Sequence, residues 1–223
     1  CVSPAVSSTE VLQSLVAVLQ SSAGADGVHG ADEARAALPN LAMKPDGCLS
    51  ILQMPATGSS LPGLLAVLRE GSDHAKQMVA GALAKLSAVD EVSASVIAKS
   101  PGVLQALALL LSEGSEACKE KATAALHHLS CAAGSSSLVG QTDGVIPGLV
   151  LQLHSGNPEA IHSAISALHN LAAVVEFRIE IASAPHALTG ICNVLWGRSR
   201  RAQEGAATTI RNLAEDNEVR SVV

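Results

Sequence analysis

The 223 residues hold 14 Lys and Arg against 20 Asp and Glu, a formal charge of −6, and 48% of them are apolar. With one Trp, one Phe and no Tyr, the chain lacks the aromatic platforms of single-strand binders, and its negative balance argues against a duplex-binding surface, so no nucleic-acid partner is expected. Mean hydropathy is +0.34, yet the longest apolar run, VLQALALLL (103–111), falls far short of the ~20 residues a bilayer requires, so no membrane span is expected and the apolar content reads as buried interior.

Taken in chain order, the elements come in pairs. LQSLVAVL (12–19) precedes ALPNLA (37–42), LPGLLAVL (61–68) precedes ALAKLS (82–87), and VLQALALLL (103–111) precedes ALHHLS (125–130). VIPGLVLQL (145–153) then leads to ALHNLA (167–172), and ALTGICNVL (187–195) to TIRNLA (209–214). The hexamer Leu falls at Leu41, Leu86, Leu129, Leu171 and Leu213, in steps of 45, 43, 42 and 42. It follows the last Leu of the preceding run by 18 residues in four pairs (68 to 86, 111 to 129, 153 to 171, 195 to 213) and by 22 in the first (19 to 41). SSAGADGVHG (21–30) therefore reads as a flexible insertion in the first repeat, where Pro39 should also kink a helix.

Each unit reads as helical. In PEAIHSAISALHNLA (158–172) apolar or small residues recur at 161, 164, 168 and 171, with Asn157 as N-cap and Pro158 in the first turn. VEFRIEIASA (175–184) makes a further, shorter helix that ends before Pro185, while AAGSSSL (132–138) offers turn formers and predicts a frayed counterpart. Three helices in about 42 residues define a solenoid of the armadillo/HEAT class, in which neighbours bury each other's apolar faces. The repeats span approximately 5–58, 59–101, 102–143, 144–185 and 186–223, one domain over 1–223 with the last unit truncated.

On a helical wheel the hexamer's apolar residues form one buried face, and the residue before the Leu lies at its edge. Behind it, one stripe runs per repeat: Asn40, Ala36, Glu33, His29; Lys85, Gly81, Met78, His74; His128, Ala124, Lys121, Ala117; Asn170, Ser166, Ser163, Glu159; Asn212, Thr208, Gly205, Arg201. Stacking turns the stripes into one surface, with His127, His169 and Arg211 beside it. Its Lys, Arg and His outnumber its acids in an otherwise acidic chain, which points to an acidic or phosphorylated partner segment.

The run G-V-I-P-G-L-V-L-Q-L (144–153), A-I-S-A-L-H-N-L-A (164–172), E-F-R-I-E-I (176–181) resembles an armadillo repeat, and the resemblance extends over essentially the whole chain. It implies an all-α, right-handed armadillo superhelix working as a protein-interaction module, with the hexamer helices lining the concave groove. In proteins that look like this, the Asn of A-L-x-N-L clamps the backbone of an extended peptide, an amide being both donor and acceptor. That role would fall to Asn40, Asn170 and Asn212; Lys85 and His128 depart from the pattern. Nuclear-import adaptors of the family carry Trp four residues before the Asn, but Ala36, Gly81, Ala124, Ser166 and Thr208 stand there, so a basic import signal is not the expected ligand. The site residues expected to meet a partner are Asn170, Asn212, His128, Lys85, Lys121, Asn40, Ser166, Arg201, His169 and Arg211.

Sharper chemistry finds little support. Adjacent His127 and His128 should point apart on a helix, and His127 and His169 sit in different repeats, so no metal site is expected. No nucleophile elbow frames the Ser and His residues, and GADGVHG (24–30) lacks the strand and helix that flank a phosphate loop, so neither enzyme activity, cofactor nor small-molecule substrate is expected. WGRSRRAQE (196–204) is a basic rim turn, a candidate contact for acidic protein or anionic lipid. Five scattered cysteines (Cys1, Cys48, Cys118, Cys131, Cys192) suggest small buried thiols in a reducing, intracellular (cytoplasmic or nuclear) setting. A chain that opens on Cys1 and stops at VRSVV in mid-pattern is expected to be a monomeric segment of a larger protein. The competing reading is a structural scaffold segment packed through its ends or rim inside a larger assembly, such as a ubiquitin-ligase receptor or ciliary scaffold.

Overall fold

The computed structural model describes residues 60–155 and 157–222, and every regular element among them is a helix. Three helices recur per repeat. The apolar runs form α1 (Ser60–Glu70), α4 (Val103–Glu113), α7 (Val145–Gln152) and α10 (Ala187–Leu195). The hexamers end the long helices: α2 (Asp73–Val89), α5 (Glu116–Cys131), α8 (Pro158–Ala172) and α11 (Arg200–Ala214). Short helices follow them: α3 (Glu91–Lys99), α6 (Ser135–Gly140), a 3₁₀ turn (Val175–Phe177) running into α9 (Arg178–Ser183), and α12 (Asn217–Val222). The turn formers of 132–138 still make a helix, α6, of six residues, as long as α9 and α12 and shorter than the nine of α3. No single helix among the described residues is long and apolar enough to cross a membrane.

Local chemistry sets the helix starts. Ser72 and Ser199 each accept a hydrogen bond from the backbone N–H three residues on. Asn157 accepts from the N–H groups of Glu159 and Ala160, with Pro158 in the first turn as its fixed φ allows. The turn that starts α4, α7 and α10 needs a left-handed residue at Gly102 (φ 83°), Gly144 (φ 84°) and His186 (φ 65°), again 42 residues apart. Glycine adopts this freely, whereas His186 does so against its Cβ.

Packing then joins the repeats. The long helices stack α2 on α5, α5 on α8 and α8 on α11, the most extensive contacts among the described residues. Leu83, Leu86, Leu126, Leu129, Ile165, Leu168 and Leu171 all lie within a single buried cluster that runs through the described repeats. In the adjoining ladder, α7 approaches α4 so closely that a Cβ on Gly148 would stand 2.8 Å from the Cβ of Leu111. On α10, a Cβ on Gly190 would meet that of Leu153 at 3.1 Å. An interior almost without rings is thus filled by Ala, Leu and Val at short helix–helix distances.

Candidate functional site

The long helices present their polar column along one edge of the stack. Lys85 on α2 and Arg201 on α11 are exposed, and Lys121, His128, Ser166, His169 and Asn170 are half-buried between them. The edges of adjacent repeats touch: a Cβ on Gly81 would stand 3.8 Å from the Lys121 stem, and one on Gly205 3.6 Å from Ile165. The stripe is therefore continuous over the described repeats. Asn40 lies outside the described residues, as do the expected insertion at 21–30 and the kink at Pro39.

The two described Asn of the column are not equivalent. The Asn170 amide donates to Ser130 Oγ at 3.0 Å and to Cys131 Sγ at 3.2 Å, so it ties α8 to α5 of the preceding repeat. Its carbonyl oxygen carries no hydrogen bond among the described residues, leaving one acceptor free. Asn212 is only 8% exposed and turned into the last repeat. The local sequence around the two is nearly the same, and neighbouring helices set the difference.

Charge is also redistributed. Lys121 Nζ lies 2.6 Å from Glu120, whose second oxygen accepts from Asn157 Nδ2 at 3.0 Å. The Lys121 ammonium, with help from Asn157, holds the Glu120 carboxyl below its ordinary range. Arg211 stays 68% exposed, 4.0 Å from Glu215, and Lys85 makes no ion pair among the described residues.

The histidines depart from the helix-wheel expectation. His127 and His128 do not point apart: their rings stack at 4.9 Å, because side-chain rotation can bring neighbouring rings together even though their Cβ atoms diverge. The ring that meets His127 across the repeat is His162 on α8, at 6.3 Å, rather than His169. Burial, followed by the fields of His128, His162 and Arg201, pushes the His127 imidazole down to about 4. Burial also lowers His128, and burial with Arg211 lowers His169. Lowering favours the neutral form of these three rings, so the positive charge beside them comes from Lys and Arg. Among the described residues no group of three His, Cys, Asp or Glu is placed to hold a metal ion.

Two of the thiols also differ from expectation. Cys118 is buried, its Sγ 3.2 Å from the Asp73 carbonyl, but Cys131 and Cys192 are exposed, since they fall on the outer positions of their helices. Sequence reasoning had no route to Ser130 and Cys131 as partners of Asn170, nor to His162 beside His127. Each pair joins helices about forty residues apart, where no periodic signal reports which side chains meet.

No family model matches the chain, and neither does any curated protein sequence. Solved structures do. A designed armadillo repeat protein superposes with a TM-score of 0.76 at 21% identity, over 91% of this chain and 82% of its own. A set of armadillo repeat proteins designed computationally for modular peptide recognition gives 0.79 at 22%, over 94% and 85%. A designed armadillo repeat protein in complex with the peptide (KR)4 gives 0.76 at 20%, over 94% and 85%. The fold is therefore an all-α, armadillo-like superhelical repeat, the class expected from the 42-residue period.

Proposed function

We propose that the chain is a non-enzymatic protein-interaction module that docks an extended, acidic or phosphorylated partner segment along the edge formed by α2, α5, α8 and α11. The observation that carries this reading is the continuity of that edge, with Lys85, Lys121 and Arg201 spaced one per repeat across three of them. Arg211 and the free Asn170 carbonyl lie beside this line, the latter oriented to accept a backbone N–H. The designed neighbours, named for peptide recognition and in one case holding a basic peptide, support an armadillo-like surface as a peptide site. This chain's cations favour the opposite sign of ligand. Asn212, buried, contributes through the packing of its helix, while Ser166, His128 and His169 supply neutral hydrogen-bonding groups.

The test is binding of an array of phosphorylated and unphosphorylated acidic peptides to the full chain and to a form carrying Lys85→Glu, Lys121→Glu and Arg201→Glu. The reading requires acidic or phosphorylated sequences to bind the unaltered chain and to be lost from the reversed form. Equal capture by both would transfer the binding role to the ends or rim, the scaffold reading.

A further inference from the structure

The turn between α10 and α11 adjoins the docking edge, sharing Arg201 with it, and is built in an unusual way. Trp196 caps the C-terminus of α10 and is 89% exposed, the most exposed large apolar side chain among the described residues. The turn is braced beneath it. Gln203 Nε2 donates to the carbonyls of Leu195 and Gly197, both at 2.9 Å, and Ser199 Oγ accepts from the Ala202 N–H. These bonds fix the backbone that carries the ring, which lowers the ordering cost of a contact made there.

Beside the turn is an open recess of about 460 Å³, within the size range of ligand pockets. Its walls are Leu153, Pro158, Ile161, Val194 and Ala202, with Arg198 at the rim. Basic charge crowds the same place. Arg200, 91% exposed and 3.1 Å from Glu204, and exposed Arg201 occupy the first turn of α11. Arg198 and Arg201 make no ion pair among the described residues. The other long helices open on an acid, Asp73, Glu116 or Glu159, as the positive end of a helix dipole favours, whereas α11 has none there. Cations against the dipole oppose local stability, and such conflicts tend to mark functional positions.

We infer that this rim is a second docking site, for a short acidic peptide of a partner protein that inserts one bulky apolar side chain into the recess. The peptide's carboxylates pair with Arg198 and Arg201, and its backbone lies against the Trp196 ring. Tryptophan and arginine are the side chains that most often dominate binding energy, and here both stand on the turn bordering the recess. The apolar recess distinguishes a peptide from an anionic bilayer, which offers no side chain to fill it.

The experiment pans a display library of random short peptides on the full chain, then measures the affinity of the enriched peptides. Trp196→Ala and Arg198→Glu change exposed side chains, and Asn193→Trp fills the recess from its exposed edge; circular dichroism confirms retained helix. We expect enrichment of one Leu, Phe or Trp next to Asp or Glu. Each variant should weaken binding at least tenfold, about 1.4 kcal/mol. Lys85→Glu with Lys121→Glu should leave it unchanged, which separates this site from the docking edge. The inference is overturned if no such motif is enriched, if enriched peptides bind all three variants as tightly, or if only phosphatidylserine vesicles bind and lose affinity with Trp196→Ala.

Discussion

His186 holds a left-handed backbone where the two preceding repeats use glycine, with its carbonyl 3.3 Å from His154 Nε2. Because that bond uses the main chain, His186→Gly keeps it while relieving the Cβ, so the urea midpoint should rise by the equivalent of about 0.5–1 kcal/mol; a fall would mean that the His154 ring contact outweighs the strain. His127 gives the molecule a pH response of definite sign. Its folded-state value near 4 lies below the ordinary 6.5, so between those limits the unfolded chain binds a proton that the folded chain refuses. Stability is therefore full above pH 6.5 and falls as pH drops toward 4. Since the ring is partly solvated, the loss should be about 1–2 kcal/mol rather than the full conversion, and His127→Gln should remove most of it in urea titrations at pH 7 and pH 4.5.

Among the elements, α7 meets α4 closely at Gly148. Alanine would gain helix propensity but bring its Cβ within 2.8 Å of Leu111, and the clash is the larger effect. Thermal unfolding of Gly148→Ala should show a net loss of about 1–2 kcal/mol. Adding Leu111→Ala should then destabilise less than the sum of the two single changes, because it removes the Cγ and Cδ1 contacts and leaves only that with the Cβ of residue 111. This contact was partly legible beforehand, because P-G recurs early in the apolar runs at 62–63 and 147–148. The bonds of Asn170 to Ser130 and Cys131 were not, since Asn212 holds the same place before the hexamer Leu in TIRNLA without them.

At the scale of the whole molecule, stacked repeats place cations from distant parts of the chain along one edge while the net charge stays at −6. Docking of acidic peptide should therefore weaken steeply as salt rises, because Lys85, Arg201 and Arg211 are exposed to screening. Isothermal titration at low and high ionic strength checks this, and salt-independent affinity would point to apolar contacts instead. Each repeat buries its apolar face only against its neighbours, so loss at one joint, as in Gly148→Ala, should also loosen the edge next to it.

Sequence by itself determined the 42-residue period, the three helices per repeat, their caps and their buried faces. These follow from local spacing and from turn residues that need no distant partner. Tertiary structure alone decided that Asn170 bridges two repeats while Asn212 is buried, and that His127 meets His162 and loses its charge. It also exposed Trp196 on the turn that borders an apolar recess. The physical reason is that periodicity fixes which face of a helix turns inward, whereas the environment of an edge residue is set by side chains about forty positions away.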